Sequence, residues 1–316
     1  MSYRPESVWE LSITPNVTNG VGAIEELGAI GGEFDADSAL VVTDPGLVEA
    51  GIADDVTATL GSIEHTVFDG VEPDPDVGVF EAAIAEAEAV DPDLLVGVGG
   101  GSAMDVAKTT SVVAEHGGDV LDYVAEPTGE GLPVPGPGIP TVAVPTTAGT
   151  GAETSPVTVI SVPETDLKVG ISSRHQRPDA AVLDPTLSVS LPPGPTASSG
   201  MDALSHAIEA YVTRPYDAKP APESRSERPD YNGRSPVTDL FARSAIERIG
   251  DDLRAAVDNG QNLEARRNML LGSFMAGAAF TNAGLGATHA IAMAAGAIEH
   301  TPHGVTIARS EEHTSE

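Results

Sequence analysis

Apolar and polar positions along the chain follow two patterns, one after the other. In the first, 39–43 reads as a short buried strand, and Ile63–Phe68, Leu94–Val98, Thr141–Val144 and Ala180–Leu183 read as further strands. LKVGI, at 167–171, is a weaker run of the same kind. Leu47–Leu60, Val77–Val90 and Ser102–Glu115 each follow a strand and predict helices. Strands alternating with helices predict a parallel sheet with helices over its faces. Residues 126–140, rich in Pro and Gly, read as a loop.

Past Leu187 the pattern changes. Pro192, Pro193 and Pro195 punctuate the chain, and helical spacing then runs through Thr196–Val212, Pro236–Val257, Leu263–Thr281 and Thr288–Ala297. The expectation is an α/β domain over 1–187 and an all-α domain over 188–308. Arg214–Pro236, crowded with Pro, Ser and charge, predicts an exposed or disordered insertion. Ala276–Phe280 and Ala290–Ala297 have few polar residues, so their helices need cover on most sides. The chain is therefore expected to expose an apolar patch and to aggregate.

Charge narrows the possible partners. The 316 residues carry 48 acidic against 16 basic side chains, a formal charge of −32. A phosphate backbone would be repelled, so nucleic acid is not an expected partner. The acids are spread through helices and loops, which fits a uniformly negative surface suited to a salt-rich cytoplasm. With no cysteine there is neither a disulfide nor a thiolate ligand. No apolar run approaches the roughly 18–20 residues of a membrane helix. MSYRPESVWE lacks the pattern of a signal peptide. The expected location is cytoplasmic, with no membrane partner.

Two places carry candidate chemistry. In GMDALSHAIEAYVT, at 200–213, Asp202 and His206 stand four residues apart and share one face of a predicted helix. A local hydrogen-bonded pair and a metal site explain that spacing equally well. His289 and His303, further on, add two imidazoles, and one Asp with three His suits Fe(II) or Zn(II). The second place is GVGGGS at 97–102, between a strand and a helix. Glycines there let a phosphate approach free amides at the helix start. An ordinary tight turn is the simpler alternative. Asp44, closing the first clear strand, reads equally as a cap or as a partner for a ribose.

Four motifs in order resemble the iron-containing, or group III, alcohol dehydrogenases. They are GGGSAMDVAK at 99–108, PTTAGTGAETSP at 145–156, GMDALSHAIEAY at 200–211 and GLGATHAIAMAAGAIEHTPHG at 284–304. The likeness extends from about Ser38 to Ala308. It implies a dehydroquinate synthase-like fold, with a parallel-sheet NAD-binding domain ahead of a helical metal domain. It implies Asp202, His206, His289 and His303 as metal ligands, and Gly99, Gly100, Gly101, Ser102 and Asp105 at the cofactor. Thr146, Thr147 and Thr150 would meet the nicotinamide half, and Lys168 matches a family lysine near the cofactor, although a solvated surface lysine fits it nearly as well. An acid at Asp44 would favour NAD over NADP, because it repels a 2′-phosphate. The reaction implied is reversible hydride transfer between an alcohol and an aldehyde or ketone. The family is often oligomeric, which alone suggests a homo-oligomer. Runner-up readings are a glycerol dehydrogenase, glycerol-1-phosphate dehydrogenase or dehydroquinate synthase of the same superfamily, or a binding relic without turnover.

The chain departs from the family in two places. Met293 stands where a second histidine commonly follows the first, so no catalytic side chain is expected beyond the metal ligands, and any proton relay is absent or passes to water or to His300. The family also continues through further helices, whereas RSEEHTSE, at 309–316, resembles a translated sequencing adapter. That tail is expected to be an artefact of a truncated gene model, without packed contacts.

Overall fold

Among the described residues eight strands form, in chain order β1 (Asn16–Asn19), β2 (Ser38–Val42), β3 (Glu64–Phe68), β4 (Leu94–Gly99), β5 (Thr141–Pro145), β6 (Val157–Val162), β7 (Leu167–Ser172) and β8 (Ala180–Leu183). Six of them pair side by side as β1-β8-β5-β4-β2-β3, every neighbour parallel. β6 and β7 make a separate antiparallel ribbon. This computed structural model describes residues 8–162, 167–220, 222–224, 228–299, 301 and 303–314. The sheet unit spans Thr14–Thr147 and Ser155–Ser188; the second unit takes in residues 8–13, Ala148–Thr154 and the described chain from Val189 onward. The chain passes from the sheet unit into the helical unit after Ser188. Residues 8–13 and 148–154 were not expected in the helical unit.

Side chains alternate across the sheet and supply a core on each face. Ala39, Val41, Leu94, Val96, Val98, Val142 and Val182 pack with Leu27 and Ile30 of α1 (Leu27–Glu33). On the other face Leu40, Val42 and Leu95 meet Phe80, Ala83 and Ile84 of α4 (Val77–Val90) and Ala103, Val106 and Ala107 of α5 (Gly101–His116). The helix expected over Leu47–Leu60 is two helices, α2 (Pro45–Glu49) and α3 (Ile52–Ala58). Gly51 between them has φ +76°, a left-handed conformation that ends the first helix.

The second unit is helical: α6 (Pro193–Val212), α7 (Pro236–Asp258), α8 (Leu263–Ala283), α9 (Ala287–Glu299) and α10 (His303–Thr314). Small residues let α6, α7 and α8 approach closely, with Ala203, Ala207, Ala245 and Ala276 fully buried. Arg266 is buried and donates to the carbonyls of Gly260 (3.0 Å) and Leu191 (2.9 Å) and to Thr196 Oγ1 (2.9 Å), tying α8 to the start of α6.

Three features of the helical unit bear on the expectations, and the described residues of the insertion up to 232 are exposed or half-buried. The insertion at Arg214–Pro236 is laced at both ends: Tyr216 N donates to Arg234 O, and the buried Arg234 donates to Tyr211 O at 2.9 Å. Residues 221 and 225–227 lie outside the described chain, as does His300. The tail is not free of contacts, because α10 continues to Thr314 and packs on α6 and α9. Glu311 is buried there and accepts from Thr288 Oγ1 at 2.8 Å. Ala276–Phe280 are all buried, whereas α9 does present Ile291 (50% exposed) and Met293 (37%) to solvent. No described helix is long and apolar enough to cross a membrane.

Candidate metal centre and cofactor turn

Pro193, in the first turn of α6, has a fixed backbone already suited to a helix start. Two turns further on, the helix presents Asp202, His206 and Glu209 at i, i+4 and i+7, one face of the helix, and all three are buried. α9 brings in His289 and α10 begins with His303.

The three imidazoles converge on one carboxylate oxygen. Asp202 Oδ1 lies 3.8 Å from His206 Nε2, 3.4 Å from His289 Nε2 and 3.7 Å from His303 Nε2. Metal bonds of about 2.0–2.1 Å in a tetrahedron place ligand atoms about 3.3–3.4 Å apart, near these separations. Asp202, His206 and His289 have ligand atoms mutually within 4.8 Å. Asp202 Oδ1 and His289 Nε2 are buried without a hydrogen-bond partner, a costly state that a cation at this point would relieve. The donor set therefore fits a divalent metal.

The outward-facing nitrogens are held as well. His206 Nδ1 lies 3.3 Å from Gly149 O, and its ring stacks between those of Phe280 and His289. His289 Nδ1 donates to Glu209 Oε2, while Glu209 Oε1 accepts from Thr288 N at 2.9 Å. Such partners fix the tautomer and orientation of a ligating ring. Burial alone would raise the Asp202 carboxyl, but the neighbouring imidazoles outweigh it and hold it at about 2. Burial pushes the His206 ring down to about 4. Burial also opposes charge on His289, yet the carboxylates of Asp202 and Glu209 at its two nitrogens lift it to about 9.

In the sheet unit, Gly99 ends β4 with φ +147°, and a Cβ there would come within 2.9 Å of Ala103 Cβ. Gly100 precedes α5 without any side-chain cap, which leaves that helix start open to an anion. Thr147 borders Gly100, and Thr146 N donates to Gly99 O at 2.9 Å. Asp44 caps α2 by accepting from Leu47 N at 3.1 Å, and its carboxylate is also next to Gly99.

Three residues of the sequence reading have other engagements. Asp105 pairs with the buried Lys108 at 2.7 Å and accepts from Val159 N at 3.0 Å. Lys168 pairs with Asp74 on the β6–β7 ribbon. Thr150 lies in the 148–154 segment of the helical unit, where Ala152 N donates to its hydroxyl at 3.3 Å. The sequence reading missed Glu209. Its only local signal is its place three residues after His206, on the helix face that carries Asp202 and His206.

Residues 14–185 match the family model for iron-containing alcohol dehydrogenase, and residues 232–310 match the C-terminal model of the Fe-containing alcohol dehydrogenase family. A long-chain-alcohol dehydrogenase from Geobacillus thermodenitrificans is 38% identical over 300 residues, 94% of this chain and 70% of its own length. An NAD-dependent methanol dehydrogenase from Bacillus methanolicus is 36% identical over 295 residues, 93% of this chain and 71% of its own. The crystal structure of a 1,3-propanediol oxidoreductase superposes with a TM-score of 0.84 at 36% identity, covering 95% of this chain and 73% of that one. These matches define a metal-dependent oxidoreductase acting on alcohols with a nicotinamide cofactor. The chain belongs to the iron-containing alcohol dehydrogenase family.

Proposed function

We propose that Asp202, His206, His289 and His303 hold one catalytic Fe(II) or Zn(II) ion, and that NAD is preferred over NADP. The observation that carries the metal reading is the convergence of three Nε2 atoms on Asp202 Oδ1, two atoms of the cluster being buried without partners. When bound, the cation supplies Lewis-acid polarisation of the substrate oxygen.

The chain's own residues prepare that chemistry. Asp202 gives the one anionic ligand, kept ionised by the imidazoles around it. The His206 ring, resistant to protonation, directs Nε2 inward while Nδ1 faces Gly149 O. The His303 side chain is 33% exposed, against 4% for Asp202 and 8% for His289, so a small alcohol, aldehyde or ketone reaches the centre past His303. Met293 can neither give nor take a proton, and the hydroxyl proton passes to water. In the sheet unit, Gly99, Gly100, Gly101 and Ser102 receive the cofactor pyrophosphate, with Thr147 beside them and the Asp44 carboxylate toward the ribose. The acidic surface suits a salt-rich cytoplasm and disfavours nucleic acid.

His206→Ala tests the ligand set. The variant should lose bound metal and turnover of simple alcohols with NAD, assayed in high salt with added metal. Wild-type metal content in that variant would refute the assignment.

A further inference from the structure

We propose that Glu209 is a positioning residue for the metal centre, acting through His289; this inference rests on the four-ligand reading above. The ligand set assigns it no role, yet it joins α6 to α9 through two contacts of its own. It is 4% exposed. Each of its carboxylate oxygens has a separate task. Oε2 accepts from His289 Nδ1, which leaves Nε2 to face Asp202 Oδ1. Oε1 accepts from Thr288 N at 2.9 Å, an amide in the first turn of α9.

One side chain on α6 thus fixes the rotation of a ligating ring and the start of the helix that carries it. Asp202 and His206 lie on the same face of α6, so Glu209 sets His289 in register with two ligands from its own helix. Gly286 belongs to this arrangement. A Cβ there would come within 2.8 Å of Glu209 Oε1, the movable end of that side chain, so alanine at 286 would push the carboxylate from its place. A carboxylate behind an imidazole ligand also raises the basicity of the coordinating nitrogen. A glutamate serving only to cap α9 would need just Oε1, and the second contact is what points to the metal.

The test compares Glu209→Gln, Gly286→Ala and His206→Ala with the wild-type full chain. Metal affinity is measured by chelator competition with Zn(II) and Co(II), and the visible band of bound Co(II) reports the ligand field. Glu209→Gln should keep one site per chain with about 10- to 100-fold weaker affinity and a shifted Co(II) band. Gly286→Ala keeps the charge but displaces it, and should weaken binding in the same direction. A purely structural role would lower the melting temperature and leave affinity and spectrum unchanged. Wild-type affinity and band in folded Glu209→Gln overturn the proposal; if that variant does not fold, wild-type behaviour of Gly286→Ala does so. His206→Ala separates the two ideas. If it loses metal while the other two behave as wild type, the ligand set stands and Glu209 has no part in it. If it keeps metal, the ligand set itself is wrong.

Discussion

The Nδ1 of His206 faces the carbonyl of Gly149 at 3.3 Å, so a loop residue orients the ring of a proposed metal ligand. Gly149 is pressed against α6. A Cβ at this position would come within 2.8 Å of Ser199 Cβ and 3.2 Å of Ser199 Cα. Gly149→Ala should push the loop away, free the His206 ring and weaken metal binding about 10-fold. Chelator competition measures this, and an unchanged affinity would show that the carbonyl does not matter to the ligand.

The imidazoles predict how metal binding depends on pH. The folded pKa of His289 is raised to about 9 from 6.5, so its protonated ring stabilises the metal-free chain fully below about 6.5, and that contribution is lost as pH rises through about 9. A cation must displace the Nε2 proton, so affinity should rise about tenfold per pH unit up to about 9, with about one proton released per ion. Calorimetry in buffers of different ionisation enthalpy counts that proton, and a count near zero would be inconsistent with this sign. His206 behaves oppositely. Its pKa is lowered to about 4, so its contribution is present above about 6.5 and is lost as pH falls through about 4.

Asp44 offers a clean test of cofactor choice. It caps α2 through Leu47 N, and glycine at a cap costs only about a few tenths of a kcal/mol relative to aspartate. Asp44→Gly should therefore fold normally and gain turnover with NADP, about 10-fold or more in kcat/KM, as repulsion of the 2′-phosphate disappears. A ratio of NADP to NAD use identical to the wild type would exclude Asp44 from the choice.

A formal charge of −32 predicts that salt stabilises the fold. Screening shortens from about 10 Å at 0.1 M to about 3 Å at 1 M, which relieves self-repulsion. The melting temperature should rise by about 5 °C or more between dilute buffer and molar KCl. A flat or falling curve would remove the argument for a salt-adapted surface.

The buried centre of the sheet was legible because parallel strands read as apolar runs. The expected bounds of Val77–Val90 and Ala180–Leu183 coincide with α4 and β8. β1 was missed because NVTN is a mostly exposed polar edge strand, and α1 because LGAIGGE is rich in glycine. Gly51 was read through as helix because composition does not reveal a left-handed φ. In the site, spacing marked Asp202 and His206, but Glu209 looked like any solvated helix glutamate. Its partner His289 is 80 residues away, beyond the reach of local pattern. The motif at 145–156 was read as one cofactor element. In the structure Thr146 and Thr147 stay with the sheet unit, whereas Gly149 joins the helical unit and meets His206.

The four proposed ligands come from three helices, α6, α9 and α10, so a bound ion would tie together parts of the chain that are far apart in sequence. In a protein without cysteine, the ion then works as a reversible cross-link as well as a reagent. At a concentration 1,000 times its dissociation constant, a ligand of the folded state adds about 4 kcal/mol, a sizeable share of the stability of most domains. With the proposed ligand set, enzyme lifetime and enzyme activity would draw on the same cation supply, and a shortage of metal would leave the chain easier to unfold and degrade as well as inactive.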